Sequence, residues 1–189
     1  MRCFIAADIG GAARGTLGRI VEELRPRCPG ARWVNPGQIH LTLEFLGELD
    51  PGDAARVGEA LAEMRDEGPI EAEIRGLGAF PVPSAARVLW AGVHAKGGRI
   101  ERLAARARGI TARLGLGGRD ARPFVAHLTL ARFRNPCDPG RLEVGAESRD
   151  TVEGRCLIDR IVLMESLLSR AGAEYRIVRE VGLEGPCSP

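Results

Sequence analysis

Lysine is almost missing from this 189-residue chain: Lys96 stands alone, and the other basic residues are all arginine. That bias reads as a compositional habit before it reads as recognition. It also leaves no K-x-D-G site for an ATP-dependent ligase, because Lys96 stands in "AKGGR". Histidine is nearly as scarce, at His40, His94 and His127. Cysteine occurs at Cys3, Cys28, Cys137, Cys156 and Cys187 with no CxxC pair. An odd, scattered set fits neither a disulfide framework nor a zinc ribbon, and points to free thiols in a reducing cytosol. No apolar run approaches the ~20 residues of a membrane span. The opening "RCFIAADI" contains Asp8, and no A-x-A pattern follows, so no signal peptide is expected. Gly10 and Gly11 follow that first apolar run without forming G-x-G-x-x-G or a P-loop, so they read as a strand-to-helix turn. A net charge of +2 exerts no global pull toward nucleic acid. A cytoplasmic protein without membrane contact is expected.

What is present is an ordinary globular composition, 44% hydrophobic and 28% charged. The length suits one domain, or two small packed lobes. A strand over 2–9 precedes a helix marked by Leu17, Ile20, Val21 and Leu24, ending at Pro26. A second helix is predicted over about 52–66, with strands at 70–80 and 87–95. Ile100, Leu103, Ala107, Ile110 and Leu114 stripe a third helix over about 98–114. A strand follows at 124–132, a short helix near 138–145, and two strands turning near Ala171–Gly172. The tail "EGPCSP" is expected to fray. Hairpins alongside strand–helix units argue for α+β rather than a doubly wound parallel sheet.

The informative pattern is a repeat. "HLTLEFLG" begins at His40 and "HLTLARFR" at His127, 87 residues apart, each four residues after a proline, Pro36 or Pro123. Two of three histidines are thereby used in identical tetrapeptides. In a strand, residues two apart share a face. His40 and Thr42 therefore project together, with Leu41 and Leu43 behind them; His127 and Thr129 do the same over Leu128 and Leu130. A duplicated strand-plus-helix unit builds two lobes related by approximate two-fold symmetry. The expected architecture is thus a single domain, 1–189, of mainly antiparallel sheets lining a central cleft, with helices outside. Two opposed imidazoles can act as general base and general acid on one centre. Two hydroxyls can hold the oxygens of an anion between them. A phosphodiester suits that set, and no acidic cluster or third ligand accompanies the histidines to hold a metal. His94 lacks the following threonine and reads as a structural or surface residue.

These paired motifs resemble the 2H phosphoesterase superfamily. With the closing "LMESLLSRAGAEYRIV", they are similar to its RNA 2′,3′-cyclic phosphodiesterases, also labelled 2′-5′ RNA ligases. The resemblance spans nearly the whole chain. It implies hydrolysis of a 2′,3′-cyclic phosphate RNA end to a 2′-phosphomonoester; no cofactor is expected. It implies that His40 is the acid expelling O3′, that His127 activates or orients water, and that Thr42 and Thr129 bind phosphate oxygens. By position it adds Arg132 as a phosphate contact and Phe45 as a stacking partner of the terminal base. Strict alternation opposes the last two. An offset of five from each histidine sends them to the other face, unless each strand bulges or ends.

Arg119, Arg122, Arg132 and Arg134 flank the second motif and could guide a phosphate backbone. Trp33 and Trp90 read as core residues. Three functions stay open: an RNA-end phosphodiesterase, with tRNA fragments among its substrates and a reversible ATP-independent 2′-5′ ligation, the reverse of a transesterification, at the same site; a cyclic phosphodiesterase for a small nucleotide; and a non-catalytic RNA-binding module. A monomer is expected, since the pseudo-symmetry lies within one chain.

Overall fold

The computed structural model describes residues 1–118, 122–137, 152–169 and 172–185. Its strands are β1 (Arg2–Ala7), β2 (Ala31–Trp33), β3 (Leu41–Glu48), β4 (Ile70–Phe80), β5 (Ala86–His94), β6 (His127–Cys137), β7 (Val152–Ile158), β8 (Arg160–Ser169) and β9 (Gly172–Gly182). The helices are α1 (Gly10–Leu24), α2 (Pro51–Ala60) and α3 (Arg99–Arg113).

Among the described residues every strand pairing is antiparallel, and the strands form one curled sheet in the order β7-β4-β5-β6-β3-β1-β8-β9. β2 joins at the side, against β6. The two HLTL strands are the middle pair, and they meet at one register point, Leu41 opposite Leu128. Around that point the order is symmetrical. β1, α1 and β3 follow one another in one half as β5, α3 and β6 do in the other, and α1 and α3 each run for 15 residues. This is the expected α+β duplication, realised as one sheet continuous across both halves.

The helices pack on the sheet because their apolar stripes need cover. Ala13, Leu17, Val21 and Leu24 of α1 are buried, and Ile20 is only half-buried at the stripe's margin. On α3, Ile100, Leu103, Ala107 and Ile110 are buried and Leu114 is half-buried. They pack on the inward residues of the sheet, among them Leu41, Leu43, Leu128 and Leu130 at 0–1% exposure. Burying each leucine contributes about 2 kcal/mol, which pins both HLTL strands to a rigid floor. β1 passes into α1 by a turn that Asp8 holds: its Oδ1 accepts from the Gly10 N–H at 2.8 Å and from Arg14 at 2.8 Å. Gly10 has φ +74°, a conformation glycine adopts without cost.

Several sequence expectations shift. The second predicted helix splits into α2 and a 3₁₀ segment over Leu61–Glu67. The strand expected at 124–132 starts at His127 and runs to Cys137. β7 has no counterpart in the sequence reading. The short helix near 138–145 lies outside the described residues, as do the turn residues 170–171 and the end of the tail. No described helix is long and apolar enough to cross a membrane. Cys3 and Cys156 are free, buried thiols, and burial raises the pKa of both, Cys156 to about 11.

Candidate active site

His40 immediately precedes β3 and His127 opens β6, so both imidazoles stand where the two strands come together. Each Nδ1 lies against the carbonyl oxygen two residues back: His40 with Gln38 at 2.8 Å, His127 with Val125 at 2.7 Å. A carbonyl only accepts, so each Nδ1 carries the proton and donates it. Each neutral ring therefore keeps an unprotonated Nε2. The same device fixes the same tautomer in both copies.

Aromatic rings hold the imidazoles in place. Phe4 of β1 stacks on His40 with centroids 4.9 Å apart, and Tyr175 of β9 meets it edge-on at 5.0 Å. Phe80 of β4 meets His127 edge-on at 5.0 Å, with Trp90 of β5 at 6.1 Å. The chain has only five Phe, two Trp and one Tyr, so this concentration is not compositional accident. Trp90 thus departs from its core reading: it is half-buried beside His127. Its ring lies across Gly78, where an added Cβ would overlap Trp90 Cζ2. Trp33 is also half-buried, away from the histidines, with the Arg25 guanidinium 5.9 Å from its ring. His94 is exposed on the surface. Phe4, Phe80 and Tyr175 escaped the sequence reading. Residues of β1 are buried on both faces, so Phe4 gives no alternation, and Tyr175 lies far along the chain from either motif.

Both offsets of five are resolved by one irregularity, repeated. In the β1–β3 register Ile5 faces Glu44 and Ala6 faces Thr42, so Leu43 is skipped. In the β5–β6 register Leu89 faces Ala131 and Trp90 faces Thr129, so Leu130 is skipped. Each bulge falls three residues after its histidine. It turns two consecutive residues inward, Leu43 with Glu44 and Leu130 with Ala131, all four buried. The next residue is thrown outward. Phe45 is consequently 47% exposed and lies opposite Phe4, with ring centroids 6.1 Å apart. Arg132 is exposed on the histidine face of β6. Glu44, turned inward, accepts from the Thr111 hydroxyl at 2.7 Å and the Gly118 N–H at 3.3 Å, tying the end of α3 to β3.

The electrostatics are asymmetric. Burial lowers the His40 pKa to about 4, against the raising effect of the Gln38 carbonyl; the charges of Arg132, Arg14 and His127 push it down further. His127 is also lowered, first by burial, with Arg132 and Arg122 adding to the effect and the Val125 carbonyl opposing it. Arg132 therefore acts on both rings. It pairs with no carboxylate among the described residues, where a surface ion pair would have been its ordinary use. Thr42 and Thr129 are half-buried, each on the face of its histidine. Arg119 lies outside the described residues. Among the described residues, no three His, Cys, Asp or Glu side chains gather into a metal-binding group. Two imidazoles with free Nε2 atoms, two hydroxyls and a guanidinium can jointly bind an anion and move two protons.

A curled antiparallel sheet with a duplicated centre defines a class. The family model of the LigT-like phosphoesterases matches residues 9–90, and the chain belongs to that family. The RNA 2′,3′-cyclic phosphodiesterase of Aeropyrum pernix is 33% identical over 168 residues, which are 88% of this chain and 94% of that protein. The RNA 2′,3′-cyclic phosphodiesterase of Thermus thermophilus is 34% identical over 194 residues, covering 98% of this chain and 91% of the relative. Among solved structures, TT0787 of Thermus thermophilus superposes with a TM-score of 0.78 at 30% identity, over 98% of this chain and 100% of that one. E. coli LigT complexed with 3′-AMP shares the fold, with a TM-score of 0.76 at 22% identity over 96% and 97% of the two chains.

Proposed function

We propose that this protein hydrolyses the 2′,3′-cyclic phosphate at an RNA end to a 2′-phosphomonoester, as a monomer and by two-histidine acid/base chemistry. The observation that carries the reading is the matched pair of imidazoles, each with Nδ1 tied to its own i−2 carbonyl. The activity named for the relatives supplies the substrate class.

The cyclic phosphate sits between the two halves, its non-bridging oxygens on Thr42, Thr129 and Arg132. His127 Nε2 takes a proton from water, which attacks phosphorus. The P–O3′ bond breaks, and protonated His40 delivers its proton to O3′. One water is consumed, and the product keeps phosphate on O2′. Phe45 offers its exposed ring to the terminal base. An anion in the groove counters the lowering effect of Arg132 and Arg14, so substrate itself favours the protonated His40 that the step needs. The scheme uses no metal. With the 5′-hydroxyl of a second strand in place of water, the same forward step joins RNA through a 2′-5′ linkage without ATP, and its reverse cleaves that linkage.

The strongly lowered His40 favours a second assignment, with His40 as base and His127 as acid. Because water attacks in line with the departing oxygen, that exchange needs the substrate turned end for end between the histidines, with O3′ on His127. His40→Ala and His127→Ala test the catalytic reading as a whole. Each is expected to lower turnover by roughly 10²–10⁴-fold, the ordinary contribution of a general acid or base, while RNA affinity changes little. Unchanged turnover in both variants would overturn the two-histidine scheme, and no turnover in the unaltered protein would leave an RNA-binding module.

A further inference from the structure

Two arginines beside Arg132, Arg32 of β2 and Arg134 of β6, are not used by the chemistry above. β2 lies against β6 with Arg32 opposite Arg132. The flanking pairs are Ala31 with Phe133 and Trp33 with Ala131, and Phe133 and Ala131 are buried. Arg32 and Arg132 therefore point together to the opposite, open face. Arg134, two residues further along β6, follows them there. All three are exposed.

Like charges set directly opposite across a sheet destabilise it. Among the described residues nothing offsets that cost, because no carboxylate there lies within ion-pairing distance of any of the three. The contrast with other arginines is plain: Arg14, Arg106, Arg160 and Arg176 each meet a carboxylate. Spacing argues for an extended anion. Arg32 and Arg132 are adjacent across the ladder, at about 5 Å. Arg134 is two strand residues away, at about 7 Å. The reacting phosphate uses Arg132, which leaves Arg32 and Arg134 placed to meet a further anionic group.

We propose that Arg32, with Arg134 beside it, holds a phosphodiester linkage of the RNA strand beyond the reacting phosphate. The preferred substrate is then an oligoribonucleotide rather than a mononucleotide. The inference rests on the phosphodiesterase reading of the histidine pair and adds the substrate's length to it. Arg32 is a specificity residue, not a catalytic one. Its cross-strand repulsion is the cost of keeping the anion site open.

The test compares the full-length protein with Arg32→Gln in three readouts. The first is kcat/KM on a tetraribonucleotide and on a mononucleotide, both ending in a 2′,3′-cyclic phosphate. The second is the salt dependence of binding for a fluorescent tetraribonucleotide ending in a 2′-phosphate. The third is thermal stability. Losing one charge-assisted contact should cost the tetranucleotide roughly tenfold in kcat/KM and leave the mononucleotide nearly unchanged. The slope of log affinity against log salt should fall by about 0.7, the increment for one single-strand phosphate. Melting temperature should hold or rise, since a repulsion is removed. An equal loss on both substrates, or a lowered melting temperature accompanying the loss, would make Arg32 structural and overturn the proposal. So would an unaltered salt slope, or an equal change in slope when inorganic phosphate is the ligand. If neither cyclic phosphate is hydrolysed by the unaltered protein, the phosphodiesterase reading fails, while the binding slopes still decide whether Arg32 grips a strand.

Discussion

At the scale of single residues, His40 carries the sharpest consequence. Its folded pKa of about 4 lies below the 6.5 of an exposed imidazole. The unfolded chain therefore binds more protons between those values, and stability rises with pH across that window. The effect is of order 3 kcal/mol between pH 7 and pH 4, since each tenfold change in proton affinity is worth about 1.4 kcal/mol. His40→Gln should flatten that acid loss, read as the pH dependence of the urea midpoint from pH 7 down to 4; an unchanged profile would mean His40 is not held neutral. The same lowering acts on catalysis. The proposed reaction needs one ring protonated and one neutral. The free protein reaches that state on the acid side of 6.5, and the anion-bound protein at higher pH. The optimum of kcat should accordingly lie above that of kcat/KM, as two bell-shaped profiles would reveal.

The strands and helices show what could and could not be read in advance. The HLTL strands were legible because each tetrapeptide alternates cleanly and each leucine pair reaches the core. α1 and α3 were legible by their stripes. The bulges were not, because neither Leu43–Glu44 nor Leu130–Ala131 contains a glycine or any other local sign of irregularity; only the partner strands fix the skipped residue. Trp90 departs from expectation for a related reason. "RVLWAGVHA" is apolar on both faces, so composition does not say that Leu89 and Ala91 go inward while Trp90 turns to His127. β7 gave little signal because Cys156 and Ile158 are its only buried apolar side chains among those described. The Trp90–Gly78 contact makes an element-scale prediction. Gly78→Ala must displace the indole, since the ring edge already occupies the place of the new methyl group. The cost should be about 1–3 kcal/mol of stability, with a fall in kcat as the support of His127 loosens. Near-UV circular dichroism and turnover measure both parts, and a variant with native spectrum and full turnover would show that the ring does not position His127.

Across the whole molecule, the chain order and the spatial order are interleaved. The hairpin of β8 and β9 comes last in sequence yet completes the first half, placing Met164 opposite Phe4 and bringing Tyr175 to His40. β4 and β7 extend the second half in the same way. This is why the duplication was visible at the motifs and not along the full chain: only β1–α1–β3 and β5–α3–β6 repeat in sequence order. A chain stopped before β9 should lose cooperative thermal unfolding, because its long pairing with β8 is removed from the half that carries His40; a cooperative transition near that of the full chain would contradict the interleaved core.

The central claim is that two copies of one motif form a single phosphodiesterase site working without a metal. Its most direct measurement incubates the protein with an RNA oligomer ending in a 2′,3′-cyclic phosphate, in excess EDTA, and locates the phosphate on the product. The account predicts full conversion to a 2′-phosphomonoester, slowed roughly 10²–10⁴-fold by either His40→Ala or His127→Ala. No conversion, or conversion only after a divalent ion is restored, would contradict it.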